Sequence, residues 1–388
     1  MSVAQDTAGA QATDGDGGSV QERRWRKLWQ VMEAAEVGAL VVYGRGSLGA
    51  YGLLHSLTGH FPAPKGGFSL VEVGRPPVLL AGSEVELGLI GESSRAAGVD
   101  VRLGGPGPLA AAAGIALAEA AGGRRLALAA PVGGIPAGDL DLLRRQAGGA
   151  DLLDLSAEAE RIRAELEPED EAALAAAAAG ADAAIEQFAA SFAVGMSERE
   201  AVAAIDAELG RRGALTRLVF VSGGRFRGRP PGDRALRAGE PITVLVEFTS
   251  PTGHWIEIGT VGVAGELDPA ARQALDACVE TLRMAERGLR PGARCGALAG
   301  AMLDSLRERG GRQISGLGHG TGVDEGGPVL VPEADAEVRA GTAFSVHPSY
   351  APLAGGEGPS VTVANTFLVE AEAARPLSSF PYRTLELG

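Results

Sequence analysis

The sequence predicts an α/β fold in its first half and an α+β fold in its second. Three observations carry this. Up to about Leu155, short apolar runs alternate with helical, Ala-rich stretches, the pattern of a mixed or parallel sheet covered by helices. After Arg161 the helices come in groups and the strands come as hairpins, which argues for segregated α+β packing. The chain has 388 residues, enough for two domains with their own cores.

Residues 1–21 are polar and rich in Gly, Ala and Asp, with no apolar stretch, and read as a disordered lead-in rather than a signal peptide. Residues 22–160 are expected to form the first domain. Its opening helix, Glu22 to Glu36, has Trp25, Leu28, Trp29 and Met32 at helical spacing and stops at Gly38. Ala39–Tyr43 is a short buried strand. Phe68–Val73 and Val78–Ala81 are two strands joined by a Gly-Arg-Pro-Pro turn. Arg125–Ala129 and Asp151–Leu155 supply further strands.

Residues 161–388 are expected to form the second domain. Pro168 starts a long helix, with Glu169, Asp170 and Glu171 complementing its dipole. Ser197 and Glu200 make a capping box for the next helix, which ends near Gly213. Val219–Val221 is a strand, and Gly223–Asp233 is a loop rich in Gly, Pro and Arg. Helices follow from Pro269 to about Gly288 and from Cys295 to Arg309.

The stretch Pro241–Val263 holds the central chemistry. The apolar run Ile242–Val246 ends in Glu247, a turn follows at Ser250–Gly253, and a second extended run carries Glu257. This is a hairpin with one carboxylate on each arm, fit to hold a metal, run acid/base chemistry or bind a cation. Glu247 follows three apolar residues, so it stands at a core edge and needs a partner. His254 reads as an exposed turn residue. Gly316–Pro328 (GLGHGTGVDEGGP) sets His319 between glycines in a loop open to a ligand. Phe344–Tyr350 is a strand ending in His347, and Val361–Val369 alternates as another strand. Two of the chain's five histidines thus end such segments. Arg225, Arg227 and Arg229 could clamp a carboxylate or simply be solvated, and Glu325 and Asp324 are substrate contacts or solvated charges.

A net charge of −14 without a basic tract argues against nucleic acid and against anionic membranes. No apolar run reaches the about 18 residues of a membrane span. Cys278 and Cys295 form no disulfide framework and read as reduced thiols of a cytoplasmic protein.

The order of these elements after Arg161 (the hairpin, the GHGTG loop, the FSVHP strand and the terminal NTFLV strand) resembles the pita-bread fold of the creatinase/aminopeptidase P/methionine aminopeptidase superfamily. The first domain resembles that superfamily's creatinase-type N-terminal domain. The resemblance implies a homodimer in which the loop His60–Gly67 reaches the partner's site, making His60, Phe61 and Lys65 candidates. It also implies a two-metal centre held by two Asp, one His and two Glu. Carried over, the first Asp falls at or next to Glu247, the second on Glu257, the His on His319, the first late Glu on His347 and the second on Ala364. Gly326 and Gly327 stand where a further His and Glu belong, and Thr260 stands for an Arg. Near Gly228–Arg229 the usual substrate-binding His is missing. The expectation is therefore a creatinase-like hydrolase of a non-peptide C–N bond in a small nitrogen-containing molecule, without a two-metal centre and without cofactor. Glu247, Glu257, His319 and His347 form its site. Three alternatives stay open: one divalent metal ion on those four residues, a biosynthetic lyase or cyclase reusing the cleft, and a non-catalytic relative.

Overall fold

The structure is a computed structural model. It describes residues 18–90, 94, 98–105, 107–226, 228–353 and 358–388. The expected disordered stretch therefore lies, up to residue 17, outside the described residues. So does Arg227.

Helix α1 (Val20–Ala34) opens the chain, capped by Ser19 with Glu22 in a capping box. Its stripe of Trp25, Leu28 and Met32 is buried, which is why the 3.6-residue spacing was legible. The first sheet has six strands: β1 (Val37–Gly44), β2 (Gly67–Glu72), β3 (Val78–Ala81), β4 (Asp100–Leu103), β5 (Arg125–Ala129) and β6 (Leu152–Asp154). Their order is β4-β3-β2-β1-β5-β6. β1 pairs antiparallel with β2 and parallel with β5, and β5 is parallel to β6, so the sheet is mixed as expected. Around it lie α2 (Gly52–Thr58), α3 (Glu84–Leu89), α4 (Leu109–Ala120), α5 (Ala137–Gln146) and α6 (Ser156–Ala164).

The second half begins with α7 (Pro168–Ser191) and α8 (Glu198–Arg211). Strands β7 (Thr216–Gly223), β8 (Ile242–Thr249) and β9 (Trp255–Val263) follow, then α9 (Pro269–Gly288) and α10 (Cys295–Glu308). The remaining strands are β10 (Gly311–Arg312), β11 (Gly318–Thr321), β12 (Thr342–Val346), β13 (Ser349–Pro352), β14 (Val361–Thr362), β15 (Asn365–Val369), β16 (Ala374–Pro376) and β17 (Thr384–Glu386). They form sheets ordered β17-β9-β8-β7, β11-β12-β15-β16 and β10-β13-β14. Val244, Val246, Phe248, Ile256 and Ile258 turn one face of the hairpin into a core with Ala178, Ala181, Ile185 and Phe188 of α7. Small residues along α7 let that helix lie close to the sheet.

Two expectations about strands change. His319 is in a strand, not a loop: Gly318–Thr321 pairs with Ala343–Val346 of β12. Its flanking glycines serve the packing of backbone rather than the approach of a ligand. A Cβ on Gly318 would stand 2.6 Å from the Ser345 carbonyl, and one on Gly320 2.4 Å from that of Gly326. The run Val361–Val369 is two strands, β14 and β15. It breaks because Ala364 leaves the ladder to exchange both backbone hydrogen bonds with Gly259 of β9 (2.8 and 3.0 Å).

The halves are tied by polar contacts around the buried helix α2. Asp324 accepts from the backbone N–H of Gly49, Tyr51 and Gly52 (2.8–2.9 Å), so a carboxylate of the second half caps that helix. The tip of the β8–β9 hairpin reaches the same helix: Tyr51 Oη donates to the Gly253 carbonyl (3.1 Å) and His55 Nε2 meets that of Thr252 (3.0 Å). His254, expected in an exposed turn, is 5% exposed. Its Nε2 bonds Asp170 of α7 (3.0 Å), whose other oxygen takes Arg24 of α1 (2.6 Å). The turn is short, so its next residue is pulled under the first domain rather than left in water.

Candidate active site

Glu247 and Glu257 are directly opposite each other on β8 and β9. Alternation puts Leu245, Glu247, Trp255, Glu257 and Gly259 on the face away from the helices. β11 and the end of β12 arch over this face. They are attached to it where Trp255 N–H donates to the Gly322 carbonyl (2.9 Å) and Thr321 Oγ1 to the Trp255 carbonyl (3.1 Å).

That attachment brings His319 and His347 to Glu257. His319 Nε2 is 3.1 Å from Glu257 Oε1, and His347 Nε2 is 3.7 Å from Oε2. The imidazole centroids are 5.5 Å apart. The Trp255 indole N–H donates to Glu257 Oε1 at 2.7 Å. His319 Nδ1 meets the Gly320 carbonyl at 3.0 Å, which turns Nε2 toward the carboxylate. The strand segment under Glu257 is itself fixed, since its N–H donates to Thr366 Oγ1 (3.2 Å).

The electrostatics separate the four groups. Burial works against charge on Glu257, but His319 and His347, with the hydrogen bonds from His319 and Trp255, outweigh it and hold its carboxyl at about 2. Burial also works against His319, but Glu257 raises it to about 9. Burial lowers His347, with Glu257 only partly opposing. Burial, then the charge of Glu257, pushes Glu247 well above the ordinary carboxylate range. At neutral pH the site thus holds an ion pair (Glu257, His319) and a neutral imidazole, with the Glu247 carboxyl pushed toward its protonated form.

Glu257, His319 and His347 each offer a donor atom, all within 4.8 Å of one another, so these three could hold one metal ion. Glu247 lies outside that set. Ala364, which bridges to Gly259 beside the acids, packs with Leu245 and Phe226 in an apolar cluster. The corner where a bridging carboxylate would stand is lined by carbon. The residues present fit one ion there and not two.

The other candidates fall elsewhere. Glu325 and His319 both line a cavity of about 880 Å³ between the two halves. Arg229 is held by Glu198 of α8 (2.9 Å), and Arg225 Nε donates to the Gly358 carbonyl (2.7 Å) beside a separate pocket. His60 is buried and burial lowers it; Phe61 stacks on Tyr51 (4.8 Å); Lys65 is 3.8 Å from Glu86. None of these three lines the cavity around His319. Trp255 escaped the sequence reading, although it lies two residues before Glu257 and so shares its strand face.

Residues 172–371, just over half of the chain, match the model of metallopeptidase family M24. The chain belongs to that family. The pita-bread fold and the creatinase-type first domain extend over solved structures that it resembles at nearly full length. Dipeptidase PepE from Mycobacterium ulcerans is 23% identical, with TM-score 0.76, over 95% of this chain and 98% of that one. The Xaa-Pro dipeptidase from Bacillus anthracis is 16% identical, with TM-score 0.79, over 95% of this chain and all (100%) of that one. The prolidase from Pyrococcus horikoshii is 17% identical, with TM-score 0.76, over 93% and 98%. No curated protein sequence matches significantly. Among the described residues, no helix is long and apolar enough to cross a membrane.

Proposed function

We propose that the protein hydrolyses a non-peptide C–N bond in a small nitrogen-containing molecule by acid–base chemistry, without a two-metal centre. One observation carries this reading: the buried Glu257 carboxylate is met by the Trp255 indole N–H and the His319 and His347 imidazoles at 2.7, 3.1 and 3.7 Å. A carboxylate so provided needs no further cation. It also sets two imidazoles at different protonation states side by side, which is what a base and an acid in one step require. In the step, His347 Nε2 takes a proton from water as the oxygen bonds to the electrophilic carbon. The C–N bond breaks as the leaving nitrogen takes the proton of the His319 imidazolium. Glu257 keeps both rings oriented and stabilises the charge on them. The two protons are equalised through solvent before the next turnover. Glu247, opposite Glu257 on the same face, contacts the polar end of the substrate.

The test is a panel of guanidino compounds, amidines, ureides and lactams, set beside Xaa-Pro dipeptides, after dialysis against a chelator. Hydrolysis of a non-peptide member is expected, with kcat falling about 10²- to 10⁴-fold in His319→Ala and Glu257→Gln. Turnover of the dipeptides alone, restored by divalent metal, would overturn the proposal. Release of an unsaturated product without incorporation of ¹⁸O from water would assign a lyase instead.

A second reading has its own observation, the three donors within 4.8 Å. In it Glu257, His319 and His347 hold one divalent ion, which would supply Lewis acidity and an acidified water. One equivalent of metal in the purified protein, lost in His347→Ala, would replace the first reading by this one.

A further inference from the structure

The cavity in front of His319 has a lining in which apolar side chains and carboxylates are interleaved. The carboxyl ends of the parallel strands β5 and β6 open onto it, the place where parallel sheets leave room for ligands. The loop after β5 lines it with Pro131, Val132 and Ile135, behind Leu128 of the strand. Val132 is 93% exposed, and Leu48 and Val329 are also exposed apolar residues on this cavity. Three solvent-facing apolar side chains on one concave surface are a binding patch rather than scattered exposure. Glu325 lines it next to His319 and Val329, and Asp154, the register partner of Leu128, adds a second carboxylate at the end of β6, where it accepts from the Ser156 N–H (2.9 Å). Glu160 lines it too, but its charge is met by Arg163 at 2.7 Å. Glu325 and Asp154 have no ion pair among the described residues, and no Lys or Arg is among the described lining residues; the one cation among them, His319, lies beside Glu325 but is itself paired with Glu257.

We propose that this cavity selects an organic cation with an apolar body, such as an alkyl- or aryl-substituted guanidine or amidine. Glu325 and Asp154 recognise the charge, and Val132, Ile135 and Leu48 recognise the hydrocarbon. At about 880 Å³ the space is large enough for such a molecule and far larger than a bare guanidinium needs. The inference rests on the hydrolase reading only for the place of the reacting bond, beside His319; the recognition stands on the walls themselves.

Calorimetric titration of the full chain with n-hexylguanidinium, guanidinium and hexanoate tests it. Hexylguanidinium is expected to bind saturably and at least about tenfold more tightly than guanidinium, because several methylenes leave water. Hexanoate is expected not to bind saturably. The double variant Glu325→Gln, Asp154→Asn should weaken hexylguanidinium about fivefold or more and flatten its salt dependence. Val132→Ser, at an exposed position that folding does not need, should shrink the advantage of the hexyl chain. Hexanoate binding as well as the cation, or cation affinity unchanged in the double variant, would overturn the proposal. No turnover is required, so a panel showing no hydrolysis but the expected binding sinks the hydrolase reading alone. Turnover without the cation preference sinks this one alone.

Discussion

Trp255 donates to a carboxylate that is 3% exposed, and no water can replace that donor. Trp255→Phe removes the N–H together with one ring of a buried indole. It is expected to cost at least about 1–3 kcal/mol of stability, the penalty for a charged acceptor losing its partner in the interior plus that of the space left behind, and chemical denaturation measures it. If the loss is within error, the indole does not hold Glu257. At this scale the sequence was readable where a residue type is rare and chemically pointed. Glu257, His319 and His347 stand out because few of the chain's segments end in an acid or a histidine. Trp255 did not stand out, because an indole has many ordinary uses, and Asp324, expected as a solvated charge or a substrate contact, is instead buried as the cap of α2. His254 was misread, because nothing in a turn sequence tells that a second domain lies over it.

Elements followed the apolar periodicity closely wherever burial enforces it, as in α1, α7 and β8. They failed where long-range pairing decides. Gly318–Thr321 has no strand pattern of its own and is a strand only because β12 accepts it. The hairpin tip is the element whose chemistry extends furthest. Burial lowers His55 from its ordinary value of 6.5 to about 4, with its bond to the Thr252 carbonyl only partly opposing. The ring is neutral in the fold but takes a proton near 6.5 once unfolded. Between these values the unfolded chain binds more protons, so stability falls as pH drops from about 6.5 toward about 4. His55→Gln should flatten that limb of a plot of unfolding free energy against pH while leaving the slope above pH 7 unchanged. An unaltered limb would show that another group causes it.

Across the whole molecule, Arg24, Asp170 and His254 join α1, α7 and the hairpin in one buried cluster. Asp170 is held down at about 2: burial opposes its charge, but His254 and Arg24 outweigh it. Asp170→Ala leaves Arg24 buried without its carboxylate and should cost about 3–5 kcal/mol. Thermal unfolding would report it, and a loss below about 1 kcal/mol would show that the cluster is not what ties the halves together. The division into an α/β half and an α+β half was legible because alternation of strands and helices differs visibly from segregation. The seam was not, because its residues are single polar positions scattered through both halves.

The β8–β9 hairpin carries Glu247 and Glu257 along its arms and the seam contacts of Gly253 and His254 at its tip. Two residues separate His254 from Glu257 along one rigid strand. Inheritance cannot therefore tinker with the two separately. A substitution that re-seats the tip displaces the carboxylate in the same generation, and one that retunes the carboxylate must leave the tip able to dock. Positions at this seam therefore bear on where the carboxylate sits, and a thermally improved variant found there should be screened first for what it has done to turnover.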